Sequence, residues 1–287
     1  MELRPITWRR HEDALNRWAV ATAPAARGFD GAIERYGHYE EQVGGFVARR
    51  EMPGTQALLL INLGDDVQLT GGDGVRIAVG AGEGFVAGVH CRPAVSAAPT
   101  GRQRGVHVYL PVATLRRLFR IDMDEIQDRV VRLDALAPAD FCAVGARLVD
   151  TTPERCFAVM DDWLGRVLAE APPADGAVDW VVGRLNADPG ARIEALAAHV
   201  GWSRKHLATR FRASTGVTPR TYARLRRFER LLGCLAHGTR PDWADLAAAH
   251  GFADQPHLAR DVRDLSGLTP TMLVDRMLPG GGGFLEE

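Results

Sequence analysis

The chain has 287 residues, room for two domains that each bury a core, and its 46% hydrophobic and 25% charged residues fit an ordinary globular protein, not a disordered or fibrous one. No run approaches eighteen consecutive apolar residues, which excludes a membrane-spanning helix, and Met1 to Arg10 lacks the apolar stretch of a secretory signal, which predicts a cytoplasmic protein. A net charge of -1 speaks against a nucleic-acid partner only if the charge is evenly spread, and it is not.

In chain order, Arg9 to Val20 reads as a short amphipathic helix with Leu15 and Trp18 on one side, followed by an Ala/Gly/Pro-rich connector. Between Val43 and Leu110 short apolar runs at 44–48, 57–61, 75–79, 85–88 and 106–110 alternate with turn formers such as those at 62–66 and 70–74. Strands of this length and spacing predict an antiparallel sandwich or barrel. After Pro111 the periodicity becomes helical, over Ala113 to Phe119, Met123 to Val130, Pro138 to Val149 and Pro153 to Ala169. The last of these lines up Phe157, Met160, Trp163, Leu164, Val167 and Leu168 as a stripe that either docks on the β domain or pairs subunits. Pro172 and Pro173 then end the helix and mark a linker.

The expected organisation is α+β: a β-rich sensor or dimerisation domain with flanking helices at 1–170, a linker at 171–177, an all-α domain at 178–278 and a flexible Gly-rich tail at 279–287. Cys91, Cys142, Cys156 and Cys234 form no CxxC pair, so neither a zinc site nor a disulfide framework is expected. His38, His90 and His107 have no carboxylate at ligand spacing and read as structural histidines rather than metal ligands.

The all-α segment contains a duplication. Ile193 to Gly201 (IEALAAHVG) is echoed by Trp243 to Gly251 (WADLAAAHG), and each copy leads through a turn into a second helix closed by Gly-x-Thr-Pro. Leu207, Phe211, Gly216 and Pro219 recur 51 residues later as Leu258, Val262, Gly267 and Pro270. Ser203 and Asp254 stand where each second helix needs an N-cap. In the first copy Leu207, Phe211 and Ser214 lie on the buried side, with Lys205, Ala208, Thr209 and Arg212 opposite. In the second, Leu258, Val262 and Leu265 are buried, and Pro256, Ala259, Arg260 and Arg263 face out.

Two long cations beside two small residues suit a helix that approaches base edges in a major groove. The helix between the copies, from Arg220 to Leu232, sets Leu225, Phe228, Leu231 and Leu232 inward, with Arg224, Arg226, Arg227 and Arg230 outward or at the rim. Charge is unequal between the copies. From Gly190 to Leu232 ten basic residues stand against two acidic ones, a net of +8, whereas Gly233 to Leu278 nets -2. The first copy is therefore expected to supply most of the grip on DNA.

These motifs, over roughly 178–278, resemble the C-terminal DNA-binding domain of the AraC/XylS family of bacterial transcription regulators. They are Leu196-Ala-Ala-x-x-Gly-Trp-Ser203, Leu207-x-x-x-Phe211, Gly216-x-Thr-Pro219, Leu246-Ala-Ala-x-x-Gly-Phe252 and Asp254-Gln-x-His-Leu-Ala-Arg260. The resemblance implies that the second helix of each unit enters the major groove, the two units lying about a helical turn apart on one face of the duplex. It makes Arg204, Lys205, Ala208 and Thr209 base-facing in the first unit and Gln255, Pro256, His257 and Arg260 in the second. Ser203, Arg210, Arg212, Arg224, Arg226, Arg227 and Arg263 are the expected phosphate contacts. Asp261 and Val262 depart from the family pattern, where an aromatic commonly follows a neutral residue.

The N-terminal half resembles the β-rich sensor half of a subset of these regulators through Ile61-Asn-Leu-Gly-Asp65 and Phe85 to Pro93. The expected partners are double-stranded DNA, a small-molecule effector, a second copy of the chain and, for an activator, RNA polymerase. No cofactor, metal, catalytic residue or membrane partner is expected. An enzyme on the β domain with an accessory DNA-binding module is the alternative; neither GxSxG nor a phosphate-binding glycine loop in context supports it. A DNA-repair methyl-acceptor would need a cysteine in a motif such as Pro-Cys-His-Arg, which is missing.

Overall fold

The computed structural model describes residues 4–29, 31–45, 48–136, 141–235, 242–278 and 283–286. The N-terminal strands are β1 (Thr7–Glu12), β2 (Asn16–Pro24), β3 (Arg35–Val43), β4 (Ala48–Glu51), β5 (Ala57–Asn62), β6 (Val67–Thr70), β7 (Arg76–Val79), β8 (Gly84–Ala87), β9 (Ala94–Ala97) and β10 (Arg102–Leu110). Then come α1 (Val112–Phe119), a 3-10 turn at Met123–Glu125, β11 (Val130–Arg132), α2 (Phe141–Leu148) and α3 (Pro153–Ala169). The helical half comprises α4 (Gly176–Ala187), α5 (Ile193–His199), α6 (Arg204–Thr215), α7 (Pro219–Leu235), α8 (Trp243–Ala249), α9 (Gln255–Ser266) and α10 (Pro270–Asp275), and a last strand, β12, covers Phe284–Leu285.

Two antiparallel sheets face each other, one ordered β1-β2-β3-β10-β5-β8-β11 and the other β12-β4-β9-β6-β7. The first sheet is covered on both sides, which explains why β5 reads as an almost unbroken apolar run. Leu59 and Ile61 point to the helices, while Leu60 joins Tyr39, Val67, Leu69, Val79 and Phe85 in a second cluster between the sheets. The stripe on α3 docks within the chain: Phe157 stacks on Tyr36 at 5.6 Å, Trp163 meets Phe141 at 5.4 Å, and both Phe157 and Trp163 are buried. Burying each such side chain is worth roughly 1.5–3 kcal/mol.

Several expectations change. Arg9 to Val20 is not a helix but the β1–β2 hairpin, with Trp8 opposite Ala21 and Trp18 opposite His11. The carboxylate of Asp13 accepts the amides of Leu15 and Asn16, both at 2.8 Å, and this local turn outcompetes the helix. Met123 to Val130 forms only the 3-10 turn before β11. There Asp128, at φ 59°, accepts the amides of Cys91 and Arg92, which fastens the segment to the sheet. The start of the predicted helix at Pro138 and part of the run at 44–48 lie outside the described residues.

The predicted linker is tied down, because Arg117 on α1 and Arg120 just past its end donate to the carbonyls of Pro172 in the linker and Glu170 just before it, at 2.7 and 2.8 Å. The described part of the predicted flexible tail is not free either: Phe284 and Leu285 pair with Arg50 and Arg49 of β4, and Arg50 donates to the Glu286 carboxylate at 2.6 Å. Residues 279–282 lie outside the described set. No described helix is long and apolar enough to cross a membrane.

Candidate nucleic-acid interface

Each repeat folds as a helix, a glycine turn and a second helix, and the repeated residues do the same work in both. Gly201 and Gly251, at φ 72° and 74°, reverse the chain after α5 and α8. The Ser203 hydroxyl then accepts the His206 amide at 3.2 Å, and Asp254 accepts the His257 amide at 2.7 Å, capping α6 and α9. Leu207, Phe211, Leu258 and Val262 are fully buried. The Gly-x-Thr-Pro signature ends one helix and begins the next. Gly216 and Gly267 are left-handed C-caps, Thr218 and Thr269 accept the Thr221 and Met272 amides, and the prolines occupy the first helical position. One further pair was legible at the same offset. The Thr215 and Ser266 hydroxyls donate to the Phe211 and Val262 carbonyls at 2.8 and 2.7 Å.

Burial of the apolar sides leaves the expected base-facing sides outward. Arg204, Lys205 and Thr209 are exposed and Ala208 half-buried; Gln255, Pro256 and Arg260 are exposed. Arg204 is paired with Glu194 at 2.8 Å across an open surface. His257 differs from expectation. Its Nδ1 accepts the Ala253 amide at 3.1 Å and its ring packs edge-on against Phe252, so the imidazole braces the turn before α9 instead of reaching outward.

The expected phosphate contacts divide. Arg210 and Arg212 are exposed but paired with acids outside the helix-turn-helix units, Asp175 at 2.6 Å and Asp124 at 3.6 Å; Arg263 is exposed. The Ser203 hydroxyl also serves as the cap. Arg224 donates from Nε to Asp261 and from Nη2 to Asp264, each at 2.8 Å.

Arg226 and Arg227 are both engaged within the chain. Arg226 turns toward the β domain and pairs with Glu229, whose carboxylate also accepts the Thr55 amide at 2.6 Å and the Thr55 hydroxyl. The Arg227 guanidinium lies over the Phe252 ring, 5.8 Å from its centroid, and 3.9 Å from Asp261, with the side chain only 20% exposed. Helical periodicity gives the side of α7 on which a residue sits, but not which neighbouring element covers it. Asp261, 7% exposed, is the acid that requires these cations, since a buried carboxylate needs compensating charge.

The N-terminal half borders several cavities, among them the following two. One, of about 530 Å³, lies between the sheets and is lined by Leu58, Leu60, Leu69, Phe85, Tyr39 and His107. His107 Nδ1 lies 3.0 Å from the Tyr109 hydroxyl, and burial, aided by Arg35 and His38, pushes its pKa down to about 3, so the ring is neutral at pH 7. The other, of about 1070 Å³, separates the β domain from α4 and α7 and is lined by Phe29, Thr55, Gln56, Tyr222, Arg226 and Glu229. Burial also lowers the pKa of His38 and His90. Among the described residues, no three of His, Cys, Asp and Glu come together as a metal site.

Two capped helix-turn-helix units with outward polar second helices define a DNA-binding transcription regulator. Residues 196–276 match a family described as a helix-turn-helix domain. The whole fold is similar to ToxT from Vibrio cholerae, with 10% identity, 91% of this chain and 98% of ToxT covered, and a TM-score of 0.50. ToxT with an unsaturated fatty acid bound, from strain SCE256, gives 11% identity, 97% and 100% coverage and a TM-score of 0.51. No curated protein sequence matches the chain.

Proposed function

We propose that the chain binds specific DNA sequences through α6 and α9 and that a small molecule held in the N-terminal half controls this binding. The observation that carries the reading is the sidedness of the two recognition helices: apolar residues fully buried, the opposite polar face open. Arg204, Lys205, Ala208 and Thr209 read bases in the first unit, and Gln255, Pro256 and Arg260 in the second. Ser203, Arg210, Arg212 and Arg263 hold phosphates. A sensor domain of 1–170 joined through 171–177 to a DNA-binding domain of 178–278 is the division this function uses.

Control by a ligand is supported by the two cavities and by the joint between the halves. The second cavity touches Arg226 and Glu229, the residues that fasten α7 to Thr55. A molecule bound there with different affinity for docked and undocked arrangements shifts their populations and hence the presentation of α6 and α9. ToxT, which shares the fold, has been solved with a fatty acid bound, which favours a small amphipathic effector. Selecting duplexes from a random pool with the full chain, then repeating the selection with Lys205→Ala, tests the reading. Enrichment of one motif that broadens at one or two base pairs supports it; no enrichment refutes it.

A further inference from the structure

Between α7 and α9 runs a polar groove of about 590 Å³, bordered by Arg220, Thr221 and Arg224 on one side and Arg260, Asp261 and Asp264 on the other. Arg220 and Arg224 are four residues apart and therefore share one face of α7, as Arg260 and Asp264 do on α9. The two faces oppose each other, which is why Arg224 reaches both acids. Its Nε and Nη2 form the guanidinium edge that receives two oxygens of a single phosphate side-on. Here that edge is divided between two carboxylates, Asp261 and Asp264, each 2.8 Å away.

The acids differ. The Asp261 side chain is 10% exposed and locked among Arg224, Arg227 and His257, whereas that of Asp264 is 63% exposed and held by Arg224 alone among the described contacts. An exposed pair of this kind contributes little to stability and exchanges readily.

We propose that this groove is a docking site for a phosphate of the DNA backbone, held by Arg220 and Arg224 of α7, and that Asp264 occupies the phosphate's place on Arg224 until DNA displaces it. The proposal rests on the DNA-binding reading above. It adds a contact outside both recognition helices, and it accounts for the weakly charged second unit: the missing cations come from α7. Asp261 keeps Nε engaged and the helices apart, and Asp264 sets how strongly phosphate is preferred over the internal acid.

The test uses the full chain and a 30-base-pair duplex of mixed sequence, with affinity measured from 50 to 200 mM KCl. Asp264→Asn keeps the side chain's size and removes its charge. It is expected to tighten binding about threefold at 50 mM and to steepen the slope of log affinity against log salt by about one, the signature of one more cation on phosphate. Arg220→Ala, on the other helix, is expected to weaken binding about threefold and flatten the slope by about one. Adding Arg224→Ala to Asp264→Asn abolishes the gain. The proposal is overturned if Asp264→Asn and Arg220→Ala leave affinity and slope unchanged, or if the gain survives Arg224→Ala, which makes it a general charge effect. A wild-type chain that shows no salt-dependent binding to any duplex overturns the DNA-binding reading itself and the groove with it.

Discussion

The carboxylate of Glu229, in the middle of α7, accepts the backbone N–H of Thr55 at 2.6 Å and fastens the DNA-binding half to the β domain. The contact is close enough that a Cβ on the neighbouring Gly54 falls 2.7 Å from the same oxygen. Arg226 completes the cluster from one helical turn away. Glu229→Gln keeps the shape but removes the charge from a partly buried, charge-assisted set of hydrogen bonds, so a loss of about 1.5–3 kcal/mol is expected. Urea unfolding of the full chain measures it, and an unchanged midpoint contradicts the role given to this joint.

A second joint lies at the end of α6. Gly216 has φ +83°, and a Cβ there meets the Met123 carbonyl oxygen at 2.8 Å, whereas its repeat counterpart Gly267, at φ +74°, meets only the flexible end of Arg50 at 3.5 Å. Both positions strain an alanine by roughly 1 kcal/mol. Only Gly216→Ala also pushes the helix off the β domain, so it is expected to lower the melting temperature more than Gly267→Ala. Equal losses in a thermal melt contradict the close packing.

His107 links stability to pH. Its pKa is pushed from 6.5 down to about 3 by burial, so below pH 6.5 the unfolded chain takes up a proton that the folded chain refuses. The folded state therefore loses stability as pH falls from about 6.5 toward 3, by up to ~1.4 kcal/mol per pH unit for this group, and loses none above 6.5. His38 and His90 shift in the same direction and add to the slope. In His107→Leu, urea midpoints between pH 7 and 5 should fall less steeply than in the wild type. A slope identical to the wild type contradicts the burial of a neutral imidazole.

Two arginines that the sequence marks alike as phosphate contacts, Arg212 on α6 and Arg227 on α7, should behave differently from each other. Arg212→Ala, on an exposed cation, is expected to weaken binding to all duplexes alike and leave the melting temperature near its wild-type value. Arg227→Ala removes packing against Phe252 and a neighbour of buried Asp261, so it is expected to lower stability by about 1–3 kcal/mol. Thermal melts and salt titrations of both variants separate these effects; a fully stable Arg227→Ala chain returns Arg227 to the set of phosphate contacts.

What could be read from the sequence is what local rules control. Ser203, Asp254, Gly216, Gly267 and the buried pairs Leu207–Phe211 and Leu258–Val262 follow from capping chemistry, helical period and duplication, and the structure places each as expected. The β1–β2 hairpin is hidden in the sequence because Leu15 and Trp18 coincide with helical spacing, while the deciding turn at Asp13 depends on two backbone amides. The directions of Arg226, Arg227 and His257 depend on partners far away in the chain or on the packing of a turn, Thr55 above all, and no periodicity reports those. Asp261 was the available sign: an acid replacing a neutral residue on a recognition helix implies cations committed inside the protein. Counting charges gave the first unit a net of +8, but Asp124, Asp175, Asp261 and Asp264 already engage part of it.

The most direct test of the central claim is the affinity of the full chain for a duplex selected from a random pool, measured at 50 and 200 mM KCl. If four or more arginines and lysines replace counterions on the DNA, affinity falls on the order of a hundredfold across this range, and Lys205→Ala relaxes sequence preference at one or two base pairs by about 1–3 kcal/mol. An affinity that stays flat with salt, or a sequence preference untouched by Lys205→Ala, contradicts the account of α6 as a recognition helix.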